Sequence, residues 1–380
     1  MNKKIELVEL NANARYWLVR ADGGRYYDHF KYHNFISVHH NEMTLEKLQT
    51  STLLLTREKT LDHYKRQIAE THKNDNWSKH QVTFAAKRLY NFIEEMEVGD
   101  FVIVPSYKSN YFLIGQINSG VKEITPKTNL TLNHGFDMTS DFKRRKVKWI
   151  NEVPRRKINP KFLYSTLTMH HSIMEVTKHA QYIDGLISPL YLKNGKLHLK
   201  LNVNTQKSIT AQMWRSLYSV IDTFRNEEVG EEITATANVE SPGDITLASA
   251  VQFISDNKEL LKYGIISLAI LFGDVDITVA RFKGVVPTIL DIQHRRQETR
   301  KIKLENDSSS IDLSQKEKDV TLHDIERQIK IKEAEKRLEQ ISHIDSHQIR
   351  DFDITIDPPH VSYANEDQMQ MDSGESMDEG

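Results

Sequence analysis

Residues 16–27 read Tyr-Trp-Leu-Val-Arg-Ala-Asp-Gly-Gly-Arg-Tyr-Tyr. An apolar and aromatic run leads to Arg20, then the pair Gly23-Gly24, then Arg25 and Tyr26. An arginine forks onto base edges or phosphates, a tyrosine offers a stacking face, and paired glycines let backbone approach closely. A strand delivering Arg20 into a glycine loop rimmed by aromatics would form one wall of a pocket for a planar ligand such as a base. The same residues also read as a strand and an ordinary surface turn.

The elements that would position this stretch alternate. Tyr16 to Val19 is strand-like, Tyr27 to Tyr32 reads as a short helix, and Phe35 to Val38 reads as a second strand. Over residues 41–95, Leu45, Leu48, Ile68, Phe84, Leu89, Phe92 and Ile93 recur at helical spacing. Phe101 to Val104, closed by Pro105, and Tyr111 to Ile117 flank a Ser/Lys/Asn-rich turn and predict a β-hairpin. Residues 143–149, Lys-Arg-Arg-Lys-Val-Lys-Trp, give one more strand. That order predicts a small mixed barrel in an α+β chain.

The charge is lopsided. Residues 1–157 hold 26 Lys and Arg against 18 Asp and Glu, a balance of +8, so the remainder carries −10 of the net −2. A basic first part and an acidic last part point to a polyanion-facing N-terminal domain. Lys143, Arg144, Arg145, Lys146, Lys148, Arg155, Arg156 and Lys157 crowd one stretch with a single acid, Glu152, and with Trp149 among them. Such a strip suits phosphate contact, with Arg25 joining it from the glycine loop; it also has the composition of an interdomain linker. There is no cysteine, which excludes disulfides, thiolate catalysis and cysteine-ligated zinc. The early glutamates break any signal-peptide core, and a cytoplasmic protein is expected.

Four ordered pieces carry a family resemblance. Trp17-Leu18-Val19-Arg20-Ala21 with Gly23-Gly24 and the Phe35–Val38 strand comes first, then Gly99-Asp100-Phe101-Val102. Tyr111-Phe112-Leu113-Ile114-Gly115-Gln116-Ile117 and Arg144-Arg145-Lys146-Val147-Lys148-Trp149 follow. Together, over about residues 14–152, they resemble the EVE/PUA-like domain at the N-terminus of Mrr-like restriction endonucleases and related prokaryotic defence proteins. The second strand departs from that pattern, ending Val38-His39-His40-Asn41, and the 41–95 insert is long. The resemblance implies a mixed β-barrel that binds nucleic acid, with DNA the expected partner, and often takes a modified or flipped base into an aromatic-lined pocket. It implies a context of restriction or antiviral defence. Base-pocket candidates are then Trp17, Arg20, Gly23, Gly24, Tyr26, Ser106, Tyr107 and Trp149, although both tryptophans also read as core residues.

Beyond the expected domain at 1–152, residues 158–228 read as a small α/β unit. It holds a helix at 180–187, a hairpin around Asn194-Gly195 and an amphipathic helix, Ser208 to Phe224, with Met213, Trp214, Leu217 and Val220 inward. Residues 229–250 read as a linker. Residues 251–292 are an apolar core or oligomerisation segment whose run from Leu260 to Phe272 falls short of the ~20 residues that span a membrane. Residues 293–350 read as charged helices with broken heptads. The acidic tail 351–380 is disordered by composition. A homo-oligomer or a partner protein held through 251–345 is therefore expected more than a membrane, and a membrane-associated or oligomeric effector is the alternative reading.

No catalytic centre is legible. The chain has no Glu-x-Lys triplet, and Asp141-Phe142-Lys143 and Asp256-Asn257-Lys258 are its only Asp-x-Lys triplets. There is no Walker A loop and no Gly-x-Ser-x-Gly elbow. His39-His40 and His170-His171 are adjacent pairs whose side chains diverge in a strand, so no metal site and no cofactor are expected. Enzymatic activity stays open, with 160–290 as the stretch that would hide an unrecognised active site.

Overall fold

The structure, a computed structural model, describes residues 3–49, 56–124, 136–168, 172–205, 208–227, 230–238, 243–250, 264–273, 275–278 and 354–363. Two compact units divide the chain: residues 1–13 with 188–358, and residues 14–187 with 359–380. The boundaries expected from sequence need correction. Residues 1–13 leave the barrel because β1 (Lys3–Glu6) and β2 (Val8–Glu9) pair in parallel with strands far along the chain. Residues 158–187 join the barrel instead of the second unit.

In the unit built from 14–187, β3 (Tyr16–Val19) leads through the glycine turn to α1 (Tyr27–Tyr32) and β4 (Phe35–Val38). The insert holds α2 (Leu45–Gln49), α3 (Arg57–Thr71) and α4 (Lys79–Tyr90). A Ser78–Gln81 capping box starts α4, each residue's side chain taking the other's backbone N–H. Strands β5 (Phe101–Pro105) and β6 (Tyr111–Ile117) form the expected hairpin. The short β7 (Lys122–Glu123) and the long β8 (Lys143–Pro154) follow, then α5 (Pro160–Thr168), β9 (Ile173–Glu175) and α6 (Ala180–Ile187).

The sheet runs β4-β8-β6-β5-β3-β9, with β7 on β8, and curls into a half-barrel. Every pairing in it is antiparallel except β3 with β5. A register shift at Ile114/Gly115 bends β6 against β8. Gly115 is required there, since a Cβ would lie 2.5 Å from Trp149 Cε3. One apolar core fills the curl, from Trp17, Val19 and Phe30 through Ile36, Val104 and Leu113 to Tyr64, Leu89 and Phe92 of the insert.

The other unit is a sheet ordered β12-β13-β11-β10-β2. Its strands are β10 (Leu190–Lys193), β11 (Lys196–Val203), β12 (Ile233–Asn238) and β13 (Gly243–Ala250). Residues 229–250 are therefore not a linker. Their Ala, Thr and Ser content hides a pleat in which Ile245, Leu247 and Ser249 point inward, and β13 pairs with the whole of β11. Helix α7 (Ala211–Phe224) buries Met213, Leu217, Val220 and Ile221, while Trp214 is half-buried. Helix α8 (Gly264–Gly273) buries Ile265, Ile266, Leu268 and Ala269 in the same core. Glu231 caps it, accepting the Gly264 N–H at 2.7 Å.

After α8, β14 (Val275–Thr278) pairs with β1, and β15 (Ile354–Thr355) pairs with β11. The tail is thus ordered in part: Ile356 is core, and the Glu152 N–H donates to the His360 carbonyl. The charged helices expected over 293–350, and the tail beyond residue 363, lie outside the described residues. No helix among the described residues is long and apolar enough to cross a membrane.

Candidate functional site

Beside the glycine turn the half-barrel opens into a cavity of about 410 Å³. Its walls come from four parts of the chain. The end of β3 and the turn after it supply Arg20, Ala21, Asp22, Gly23 and Tyr26, with Phe30 from α1. Strand β4 supplies Ser37, Val38 and the following His39; α4 supplies Arg88. Ser140 and Asp141 precede β8, and Ser172 and Ile173 lie at β9.

Hydrogen bonds fix the walls at Asp141 and at Arg20. Asp141 is buried, accepting the Ser37 hydroxyl at 2.9 Å on one oxygen and facing His39 Nδ1 at 3.1 Å with the other. Asn41 bridges the same segment, donating to the Ser140 carbonyl and accepting the Phe142 N–H, both at 2.9 Å. Across the cavity, the Arg20 guanidinium donates to the Thr166 carbonyl at 2.6 Å, and its backbone N–H donates to Ser172. Burial lowers the pKa of Arg20 and of Arg88, with the Asp141 charge opposing that shift at Arg88. Guanidiniums remain charged through such shifts. The cavity thus offers cationic donors on two walls, a carboxylate and an imidazole on a third, and the Tyr26 and Phe30 rings.

The glycine turn is held from outside. Gly24 has φ +95°, and a Cβ there would overlap the backbone of Tyr107. That close approach seats the 22–24 turn on the turn of residues 106–109. Ser106 closes its own hairpin, its N–H and Oγ both engaging Tyr111 at 2.9 Å. Tyr107 is 65% exposed, with Lys108 Nζ 5.3 Å from its ring centroid. Tyr111 is also exposed, and the Arg155 N–H donates to the Asn110 carbonyl. A basic and aromatic surface therefore adjoins the turn that borders the cavity.

The sequence candidates divide three ways. Arg20, Gly23 and Tyr26 line the cavity, and Gly24, Ser106 and Tyr107 build its outer support. Trp17 and Trp149 do neither. Each is buried in the core with its indole N–H satisfied, Trp17 by Asp100 at 2.8 Å and Trp149 by the Phe30 carbonyl at 2.9 Å.

The basic strip divides as well. Lys143 is fully buried, donating to the His40 and Met43 carbonyls at 2.6 and 2.8 Å. Arg145 is buried on the Phe92 and Ile93 carbonyls, and Arg144 spans the Asp141 and Thr139 carbonyls over the Phe35 ring. Lys143 and Arg145 are therefore interior struts, because β8 alternates and its odd-numbered residues face inward here. Lys146, Lys148 and Arg156 are exposed, Arg155 is half-buried, and exposed Arg25 pairs with Asp137 at 2.9 Å.

Ser37, His39, Arg88, Asp141 and Ser172 were not among the sequence candidates. In the sequence Asp141 belongs to an Asp-x-Lys triplet and His39 to a His-His pair, neither a signature of a site on its own, and Arg88 sits in the helical insert.

A family model described as a domain of unknown function (DUF8426) matches residues 37–176. That span takes in the end of β4 from Ser37, the insert, β8 and the cavity walls from Ser37 to Ile173. No curated protein matches the chain.

Proposed function

We propose that the protein is a nucleic-acid reader that takes a single base, modified or flipped from its stack, into the cavity beside the Gly23-Gly24 turn. The observation that carries the reading is the convergence of Arg20, Arg88, Asp141 and the Tyr26 ring on one cavity of about 410 Å³. That volume lies toward the lower end of ligand pockets, about 300–1,000 Å³. Donors and an acceptor on opposing walls suit the polar edge of a planar ring, and Tyr26 supplies a face for stacking. Flipping costs a few kcal/mol of unstacking, which such contacts must offset.

The surface of exposed Tyr107, Lys108 and Tyr111 with half-buried Arg155 and exposed Arg156 suits the flanking phosphates and bases of the strand, and Lys148 lies farther along β8. The ordered resemblance to EVE/PUA-like domains supports the same reading. It also supplies the context of restriction or antiviral defence in the cytoplasm, with DNA as the polymer. Residues 251–345 would then serve assembly.

The test is binding of the full chain to single- and double-stranded oligonucleotides carrying plain and modified cytosines, across salt. Preference for one base that survives moderate salt and is lost in Tyr26→Ala supports a pocket reader. Binding indifferent to the base that collapses with salt reduces the site to a basic surface.

His39 and Asp141 favour a second reading. An imidazole held by a buried carboxylate is the arrangement of a general base. Turnover of nucleotide or nucleic acid that disappears in His39→Ala, with binding retained, would support an enzyme.

A further inference from the structure

Immediately after His39 the chain turns away from the cavity, and His40 enters a separate cluster with Glu42 and His72. His40 is 5% exposed and sits at φ +81°. Its Nδ1 lies 2.9 Å from Glu42 Oε1, and His72 Nε2, from the end of α3, lies 3.2 Å from the same oxygen. One ligand atom from each residue falls within 4.8 Å of the other two.

The second contact of His72 constrains the chemistry. Its Nδ1 lies 2.7 Å from Asp75 Oδ2. A neutral imidazole that donates Nδ1–H to Asp75 aims the Nε2 lone pair at the Glu42 oxygen. Two lone pairs at 3.2 Å repel unless a proton or a metal ion stands between them. A carboxylate on the far nitrogen is the usual outer support of a metal-bound histidine, fixing its tautomer and raising its basicity.

The rest of the surroundings fit a held cation. Trp77 stacks on His72 with centroids 3.8 Å apart and planes 5° from parallel, locking the ring. Glu42 and Asp75 bring two negative charges to offset a divalent ion. The nearby Lys143 ammonium is turned to the His40 and Met43 carbonyls and does not occupy the cluster. Tetrahedral zinc with bonds of about 2.0–2.2 Å sets its ligand atoms on the order of 3.3 Å apart; the separations of 2.9 and 3.2 Å are close to that, and the His40–His72 pair lies within 4.8 Å.

We infer that His40 Nδ1, Glu42 Oε1 and His72 Nε2 form a site for a zinc-class divalent cation, with the fourth position left to water. Nitrogen and carboxylate ligands without thiolate suit zinc or cobalt over calcium or magnesium. The ion would tie the loop behind β4, which carries His39 into the cavity wall, to the C-terminal end of α3.

The test uses the full chain, stripped with a chelator, dialysed, and titrated with zinc sulfate against a chromophoric zinc indicator. One zinc per chain is expected, with affinity lowered about tenfold or more in Glu42→Gln and in His72→Gln. Asp75→Asn lies outside the ligand set and should weaken binding while leaving the stoichiometry at one. Because loss of buried His40 can disturb folding, cobalt substitution gives an independent readout. The wild-type chain should show the intense visible bands of a four-coordinate site, and His72→Gln should lose them. A folded wild-type chain that takes up no zinc overturns the inference, leaving a proton-bridged histidine–carboxylate network. Zinc uptake unchanged by both Glu42→Gln and His72→Gln overturns it equally.

Discussion

His39 Nδ1 lies 3.1 Å from one Asp141 oxygen, while the other accepts the Ser37 hydroxyl at 2.9 Å. A single buried carboxylate therefore joins β4 to the segment entering β8 and sets the polar wall of the cavity. Its neighbour His40 points elsewhere, to Glu42. The two adjacent histidines thus face different surroundings, because the chain has left β4 and turns at His40, with φ +81°.

Gly24 and Gly23 both have positive φ, but only Gly24 has backbone packed where a Cβ would go. Gly24→Ala should cost about 1–3 kcal/mol from strain and displaced backbone. Gly23→Ala, with nothing within 4 Å, should cost only about 1 kcal/mol for its left-handed conformation. Urea unfolding of both variants measures the difference. Equal losses would mean that the approach to Tyr107 does not hold the turn.

Lys31 and Glu152 form a buried ion pair at 2.8 Å, with side chains 8% and 12% exposed, and the Tyr27 hydroxyl donates to the same carboxylate. Glu152→Ala should destabilise by about 3–5 kcal/mol, since it strands a buried ammonium. The double variant Lys31→Met/Glu152→Leu should recover much of that loss. A double-mutant cycle by denaturant unfolding reads the coupling.

Arg145 and Arg156 separate interior from surface cations. Arg145→Ala should lower the melting temperature, because it abandons the Phe92 and Ile93 carbonyls inside the fold. Arg156→Ala should leave melting unchanged and reduce the slope of log affinity against log salt by roughly 0.7–0.9 if the side chain meets a phosphate. Thermal melts and a salt series distinguish the two.

Alkaline titration reads the buried phenols. Burial and the Glu95 carboxylate push Tyr90 up to about 12. Burial also raises Tyr27, with Glu152 adding to the effect, and Tyr64, with Glu94 adding to it. A phenol whose folded pKa exceeds its free value keeps its proton when the unfolded chain has lost it. Its stabilising contribution is full below pH ~10 and is lost as pH rises through the folded value. Tyrosinate absorbance should show Tyr90 ionising near pH 12, with Tyr27 and Tyr64 ionising later or only on unfolding. Normal titration of all three would contradict their burial.

Much of the half-barrel was legible because its strands are short, apolar and bounded by turn residues. Tyr16–Val19, Tyr27–Tyr32 and Phe35–Val38 stand where the pattern put them. Part of the cavity was legible too, since Arg20, Gly23 and Tyr26 are close in sequence. Its other walls were not. Arg88 and Asp141 reach it through long-range pairing, which local spacing does not encode. The basic run at 143–148 misled because charge alone does not reveal the pleat; Lys143 and Arg145 point inward and find carbonyls. Residues 229–250 misled for the opposite reason, small side chains concealing a strand pair. His72 lies thirty residues from Glu42, a separation that the spacing of adjacent histidines does not reveal.

The most direct test of the central claim is the base-selectivity ratio of the full chain, measured for one preferred and one plain oligonucleotide at low and moderate salt. Wild type should keep the same ratio at both salt concentrations while absolute affinity falls. Asp141→Asn, which preserves shape but removes the charge at the cavity wall, should bring the ratio toward unity with the fold intact. A ratio already at unity in wild type, or one unmoved by Asp141→Asn and Tyr26→Ala alike, would contradict base recognition in this cavity.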